Sequence, residues 1–150
     1  MSARIKVKMK LFSQKRIETV AEFSRQVMDL LATEATWVKS SLACTRSGKD
    51  TSPSHDDAAK WCLLGAVSRT KHDPTGYEVG PSGVIYRNAC AAEDYQDILC
   101  SFIKAGRIGE FNDAPETTFA MVRRLLIRAD KLIHKTLKLK TKQCRSTKKC

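Results

Sequence analysis

The chain has 150 residues, 42% hydrophobic and 29% charged, with a formal net charge of +11. That length suits one domain around one core, and the apolar share excludes a wholly disordered chain. No run approaches the ~18 apolar residues of a membrane span, and lysines interrupt the apolar residues after Met1, leaving no signal-peptide core, so the expected location is the cytoplasm.

The charge gathers at the ends. Residues 1–16 hold six basic side chains and no acid, residues 131–150 hold eight and no acid, and the body between them is close to neutral. The chain therefore divides into a basic N-terminal segment, 1–16, a helical domain, 17–135, and a basic tail, 136–150.

In chain order, Ile5, Val7, Met9 and Leu11 alternate with Lys6, Lys8 and Lys10, the period of a half-buried strand. Leu137-Lys138-Leu139-Lys140 repeats the sign weakly. Either the two ends pair as a short sheet or both are disordered. A first helix is expected from Gln14 to Glu34, with Ile17, Val20, Phe23, Val27, Leu30 and Leu31 on one face. Residues 39–54 read as a surface loop.

A second helix is expected to start at Ser54, with Asp57 completing a capping box, and to run through Trp61 and Leu64 to Thr70. Gly65 inside it implies a close neighbour, read as a crossing helix, because glycine costs about 1 kcal/mol against alanine there. Residues 71–87 are loop, with a ragged hairpin between Tyr77–Val79 and Val84–Tyr86 as its one regular feature. A third helix is expected over 89–105, capped by Gly106. The last is announced by Asp113-Ala114-Pro115-Glu116 and carries Phe119, Val122, Leu125, Leu126, Ala129, Leu132 and Ile133 before fading near Leu137. The expected fold is mainly α, a compact and irregular four-helix bundle, with Trp61, Leu64, Phe102, Leu125 and Leu126 in its core.

Six cysteines, Cys44, Cys62, Cys90, Cys100, Cys144 and Cys150, form no C-x-x-C pair and no zinc-finger spacing. In a reducing compartment they read as free thiols, with Cys62, Cys90 and Cys100 as small buried hydrophobes. His55-Asp56-Asp57 resembles part of a metal phosphohydrolase site, but only His72 and His134 remain to complete one, and a helix start explains the acids. Cys62 as a nucleophile would need a base that the sequence does not place. The glycines near 48 and 80–83 lack phosphate-loop spacing. No metal, cofactor or catalytic residue is assigned.

Two segments carry binding potential. Asn112, between Phe111 and the capping Asp113, has no evident structural duty; with Trp37 it forms a candidate small-anion site at a helix N-terminus. The tail offers Lys138, Lys140, Lys142, Arg145, Lys148 and Lys149 to phosphates. It has no aromatic residue to stack on single-stranded bases.

The segment Trp61-Cys62-Leu63-Leu64-Gly65-Ala66, followed by Phe111-Asn112-Asp113, Thr117 or Thr118, and Val122, resembles a family of small bacterial and bacteriophage proteins known only as a domain of unknown function. Trp37 after an upstream helix fits the same pattern. The resemblance spans about residues 17–135. It implies a helical domain in a phage or mobile-element setting and brings no activity with it.

The function expected first is a non-enzymatic binding or interaction module, phage-encoded, that acts on a host protein or a small anionic ligand. The alternative is a nucleic-acid-associated protein that holds DNA or RNA non-specifically through its basic ends. The third reading is a hydrolase using Cys62 or the His55/Asp56 pair. Membranes are not an expected partner.

Overall fold

The computed structural model describes residues 3–72, 77–80, 83–104 and 106–147. The domain is mainly α. Helices α1 (Ala3–Leu11), α2 (Gln14–Leu30), α3 (Leu63–Lys71), α4 (Arg87–Cys100), α5 (Ile108–Asp113) and α6 (Phe119–Thr147) are joined by two antiparallel strand pairs, β1 (Ala43–Thr45) with β2 (Ala58–Trp61), and β3 (Tyr77–Gly80) with β4 (Gly83–Tyr86).

Helix α2 is the hub. Ile17, Val20, Phe23 and Val27 leave solvent at three- and four-residue steps, and that stripe packs against α6 and α4. Ser13 caps the helix, its Oγ accepting the Arg16 N–H at 3.2 Å. The Phe23 and Tyr95 rings meet with centroids 5.7 Å apart, a tilted contact that favours the ring quadrupoles. Helix α6 completes the core with Val122, Leu125, Leu126, Ala129 and Ile133. Of the expected core residues, Trp61, Leu125 and Leu126 are buried, whereas Leu64 and Phe102 are only half-buried at its edge.

The basic ends are not strands. Residues 3–11 form a helix because Ile5 and Met9, with Phe12 just beyond it, also fall at i, i+4 and i+7; all three are buried, while Leu11 is 82% exposed. Lys8 lies 3.5 Å from the buried Asp94 and also pairs with Asp97. Arg16 forks onto Asp94 through Nε at 2.7 Å and a terminal nitrogen at 2.9 Å, and its guanidinium covers the Phe12 ring. Part of the N-terminal charge is thus spent inside the protein. At the other end the helix does not fade near Leu137. It continues to Thr147, where the sequence reading placed a tail.

The second helix starts nine residues later than expected. Ser54 to Asp57 form a turn, and the next four residues pair with β1 in the register Ala43↔Trp61, Cys44↔Lys60, Thr45↔Ala58. The cap of α3 is then Cys62, whose Sγ accepts the Gly65 N–H at 3.2 Å. Gly65 does face a close neighbour, but not a helix. A Cβ there would stand 1.7 Å from the Leu42 carbonyl oxygen of the loop before β1. The hairpin is regular, pairing Tyr77 with Tyr86 and Val79 with Val84. Helix α4 stops at Cys100, short of Gly106, which instead takes a left-handed turn at φ +74°. Asp113 ends α5 and caps nothing in α6, which begins at Phe119 after Thr118 accepts the Met121 N–H at 3.3 Å. Cys62 is buried as expected, but Cys90 is exposed and Cys100 half-buried.

Candidate functional site

The structure brings Trp37, Asn112 and Asp113 together, and protein partners occupy the Trp37 indole N–H, the side-chain oxygen and nitrogen of Asn112 and one Asp113 oxygen. The Asn112 side-chain oxygen accepts from the Trp37 indole at 2.9 Å and from the Leu63 backbone N–H at 3.0 Å. Its amide nitrogen donates to the Val38 carbonyl at 3.2 Å and to the Asp113 carboxylate at 2.8 Å. Two lone pairs and two hydrogens are an asparagine's full capacity, and the residue is wholly buried. The same Asp113 oxygen accepts the Ser40 N–H at 2.9 Å, which holds Ser40 in a left-handed backbone conformation, φ +60°. The Trp37 ring meets Phe119, 6.0 Å away by centroid, and the Lys39 ammonium lies over it. The trio therefore ties the start of α3, the end of α5 and the loop after α2 into one polar node.

Neither His55 nor Cys62 stands in a catalytic arrangement with the described residues around it. His55 Nδ1 accepts the Asp57 N–H at 3.2 Å, and no group of three or more His, Cys, Asp or Glu side chains stands at metal-holding distance among the described residues. Burial pushes the Cys62 thiol above its ordinary pKa, opposite to the shift a nucleophile needs. His72 caps the far end of the helix that Cys62 begins. Ser24 Oγ and His134 Nε2 each lie 3.4 Å from the same Asp130 carboxylate oxygen. The carboxylate stands between hydroxyl and imidazole, so this is not the order in which a histidine takes a serine's proton.

The outstanding surface is the outer face of α6. Arg124, Arg128, Lys131, Lys135, Lys138 and Lys142 recur every three or four residues and are all exposed, opposite the buried stripe from Val122 to Ile133. At 1.5 Å per residue they span about 27 Å. Lys131, Lys135, Lys138 and Lys142, together with Asp130, His134 and Leu139, line a shallow groove of about 360 Å³. Among the described residues Arg124, Arg128, Lys131, Lys135 and Lys138 form no ion pair with a carboxylate. Lys140 does not share this face. Its ammonium donates to the Lys10 carbonyl at 2.6 Å, next to the C-terminus of α1, where a cation is favoured. The Arg145 side chain and all of Lys148 and Lys149 lie outside what the structure describes.

Arg124 and Arg128 were missed from the sequence because they sit in the helical body rather than the lysine-rich end. The signal was their spacing: each stands seven residues before a groove lysine, Lys131 and Lys135.

The chain is thus a small, mainly helical domain with a buried polar node. It belongs to a family of unknown function (DUF6197), matched over residues 15–132. No curated protein and no solved structure matches it. The match ends inside α6, so Arg124, Arg128 and Lys131 lie within the family region and Lys135, Lys138 and Lys142 beyond it. No described helix is long and apolar enough to cross a membrane.

Proposed function

We propose that this chain is a non-enzymatic binding module that holds duplex nucleic acid by its phosphate backbone, along the outer face of α6. What supports the reading is the single stripe of six exposed cations on one helix face. A helical stripe fixes the spacing of its charges, and cations within about 5–6 Å of each other along the helix can meet successive phosphates. The exposed part of the stripe past Lys131 carries no Phe, Tyr or Trp ring, so the duplex backbone is a better fitting ligand there than a run of stacked single-stranded bases. Lysines act as point charges on phosphates, so binding is nearly blind to sequence. A cytoplasmic setting in a bacterial or phage-infected cell accords with this reading and with the sequence resemblance.

A small anion at Trp37, Asn112 and Asp113 is less well supported, because the polar atoms of Asn112 are all occupied within the protein. The deciding measurement is the affinity for a short blunt DNA duplex as a function of salt. Five phosphate contacts give a log–log slope of about −4.5. No binding at low salt, or binding that salt does not weaken, rules the proposal out.

A further inference from the structure

The basic stripe does not end at bare helix. Below Arg124 and Arg128 a cleft of about 290 Å³ opens between α6, the turn after α4 and helix α5, lined by Phe102, Ile103, Phe111, Met121 and Leu125 besides the two arginines. Its volume lies near the lower limit of ligand clefts, which run about 300–1,000 Å³. Phe102, Phe111 and Met121 are each half-buried rather than closed into the core. The Arg128 guanidinium lies over the Phe102 ring, 4.7 Å from its centroid. Apart from the two guanidinium groups the lining offers no polar side chain.

We propose that this cleft receives an unstacked base at the end of the duplex, so that the ligand is a duplex with a single-stranded overhang. The inference rests on the reading of α6 as a nucleic-acid face. Two features select a base over another apolar group. The cleft is continuous with the cationic stripe, since Arg124 and Arg128 belong to both, and a phosphodiester on either side of the base would meet those guanidiniums. The lining also holds two phenyl rings and a thioether, apolar groups that pack against any base. The two guanidiniums are the only lining groups able to read a base edge, and with Arg128 laid over Phe102 and both placed to meet the phosphodiester, recognition is chiefly of an exposed base rather than of its identity.

The test compares a short blunt DNA duplex with the same duplex carrying a single-stranded overhang, by fluorescence anisotropy with the full chain. The overhang should bind about tenfold more tightly, as one stacked base allows. Phe102→Leu and Phe111→Leu keep the cleft apolar but remove the rings. Each should abolish the preference while leaving blunt-duplex affinity in place. A fluorescent aminopurine base in the overhang supplies a measurement on the unaltered protein, and its emission should change on binding as the base leaves the duplex end. Equal affinity for the two duplexes, an aminopurine signal that does not change, or a preference that survives both leucine variants overturns the inference and leaves the α6 face as a backbone binder. Failure to bind either duplex removes the nucleic-acid reading itself and this inference with it.

Discussion

Gly65 lies directly under the Leu42 carbonyl: a Cβ at position 65 would stand 1.7 Å from that oxygen and 2.7 Å from its carbon. The same oxygen accepts the Cys62 N–H at 3.2 Å. The first turn of α3 is thus pressed onto the loop that leads into β1, and backbone, unlike a flexible side chain, has little room to give way. Gly65→Ala should therefore destabilise the domain by about 3 kcal/mol, the upper part of the range for overpacking, despite alanine's better helix propensity. Chemical denaturation of the variant checks this. An unchanged midpoint would mean that the loop moves aside freely.

Asn112 is the second place where one atom decides the local structure. Asn112→Ala leaves the Leu63 N–H and the Val38 carbonyl without their side-chain partner, and frees the Trp37 indole. Each buried polar group left unpaired costs about 1–3 kcal/mol, so a loss of at least about 2 kcal/mol is expected, read from the denaturation midpoint and the Trp37 fluorescence. Nucleic-acid affinity measured well below the melting transition should not change, because the node and the α6 stripe are separate. A specific loss of affinity in a folded Asn112→Ala protein would place ligand binding at the node instead.

The thiols give a prediction with a pH sign. Burial favours the protonated form of Cys62 and raises its pKa in the folded state. An unfolded thiol ionises near pH 8.5, so the contribution of Cys62 to stability is complete below that pH and is lost as pH rises through the higher folded value. At mildly alkaline pH a thiol reagent should label exposed Cys90 at once and reach Cys62 only as the protein unfolds. Cys62→Ser should keep the cap on the Gly65 N–H, whereas Cys62→Ala should cost about 1 kcal/mol. Rapid labelling of Cys62 in the folded protein would contradict its burial.

What could be read in the sequence followed from how many elements each feature needs. Helix α2 and the apolar stripe of α6 are single-segment patterns; the stripe stands where the spacing put it, and α2 starts at Gln14 as expected but ends at Leu30, short of Glu34. The hairpin around Tyr77–Tyr86 was bounded by its own glycines. Misreadings came where one pattern serves two structures. Ile5 and Met9 satisfy a strand and a helix equally, and what goes with the helix is the burial of Phe12 at the i+7 place and the pairing of Lys8 with Asp94, far along the chain. Asp113 has the look of an N-cap, yet its carboxylate is taken by Ser40 and Asn112. Asn112 lacked a duty in sequence because its partners come from residues 37, 38, 63 and 113. The cleft was invisible for the same reason: Phe102, Phe111 and Arg128 come from three segments that only the fold assembles.

The last prediction separates charge that is free to act from charge the fold consumes. Lys131, Lys135 and Lys138 share the outer face of α6, while Lys8 is held by Asp97 and Asp94, which raise its pKa. All four contribute equally to the net charge of +11, so a model in which only net charge matters treats them alike. Counterion release does not: each phosphate contact contributes about −0.9 to the log–log salt slope, and a cation already paired with carboxylates releases little. The triple variant Lys131→Gln/Lys135→Gln/Lys138→Gln should flatten the slope by about 2.7 and leave the melting temperature nearly unchanged, since exposed substitutions on a helix stay within about 0.5 kcal/mol each. Lys8→Gln should do the reverse, leaving the slope alone and loosening α1. The pH dependence has a definite sign. A lysine whose folded pKa is raised contributes stability that is complete below its unfolded value, near pH 10.4, and is lost as pH rises through the folded value. The α1 contact should therefore weaken only in strong alkali, while nucleic-acid binding at neutral pH depends on the α6 lysines. If Lys8→Gln flattens the slope as much as one α6 lysine does, the ligand is following net charge and the face on α6 has no privileged role.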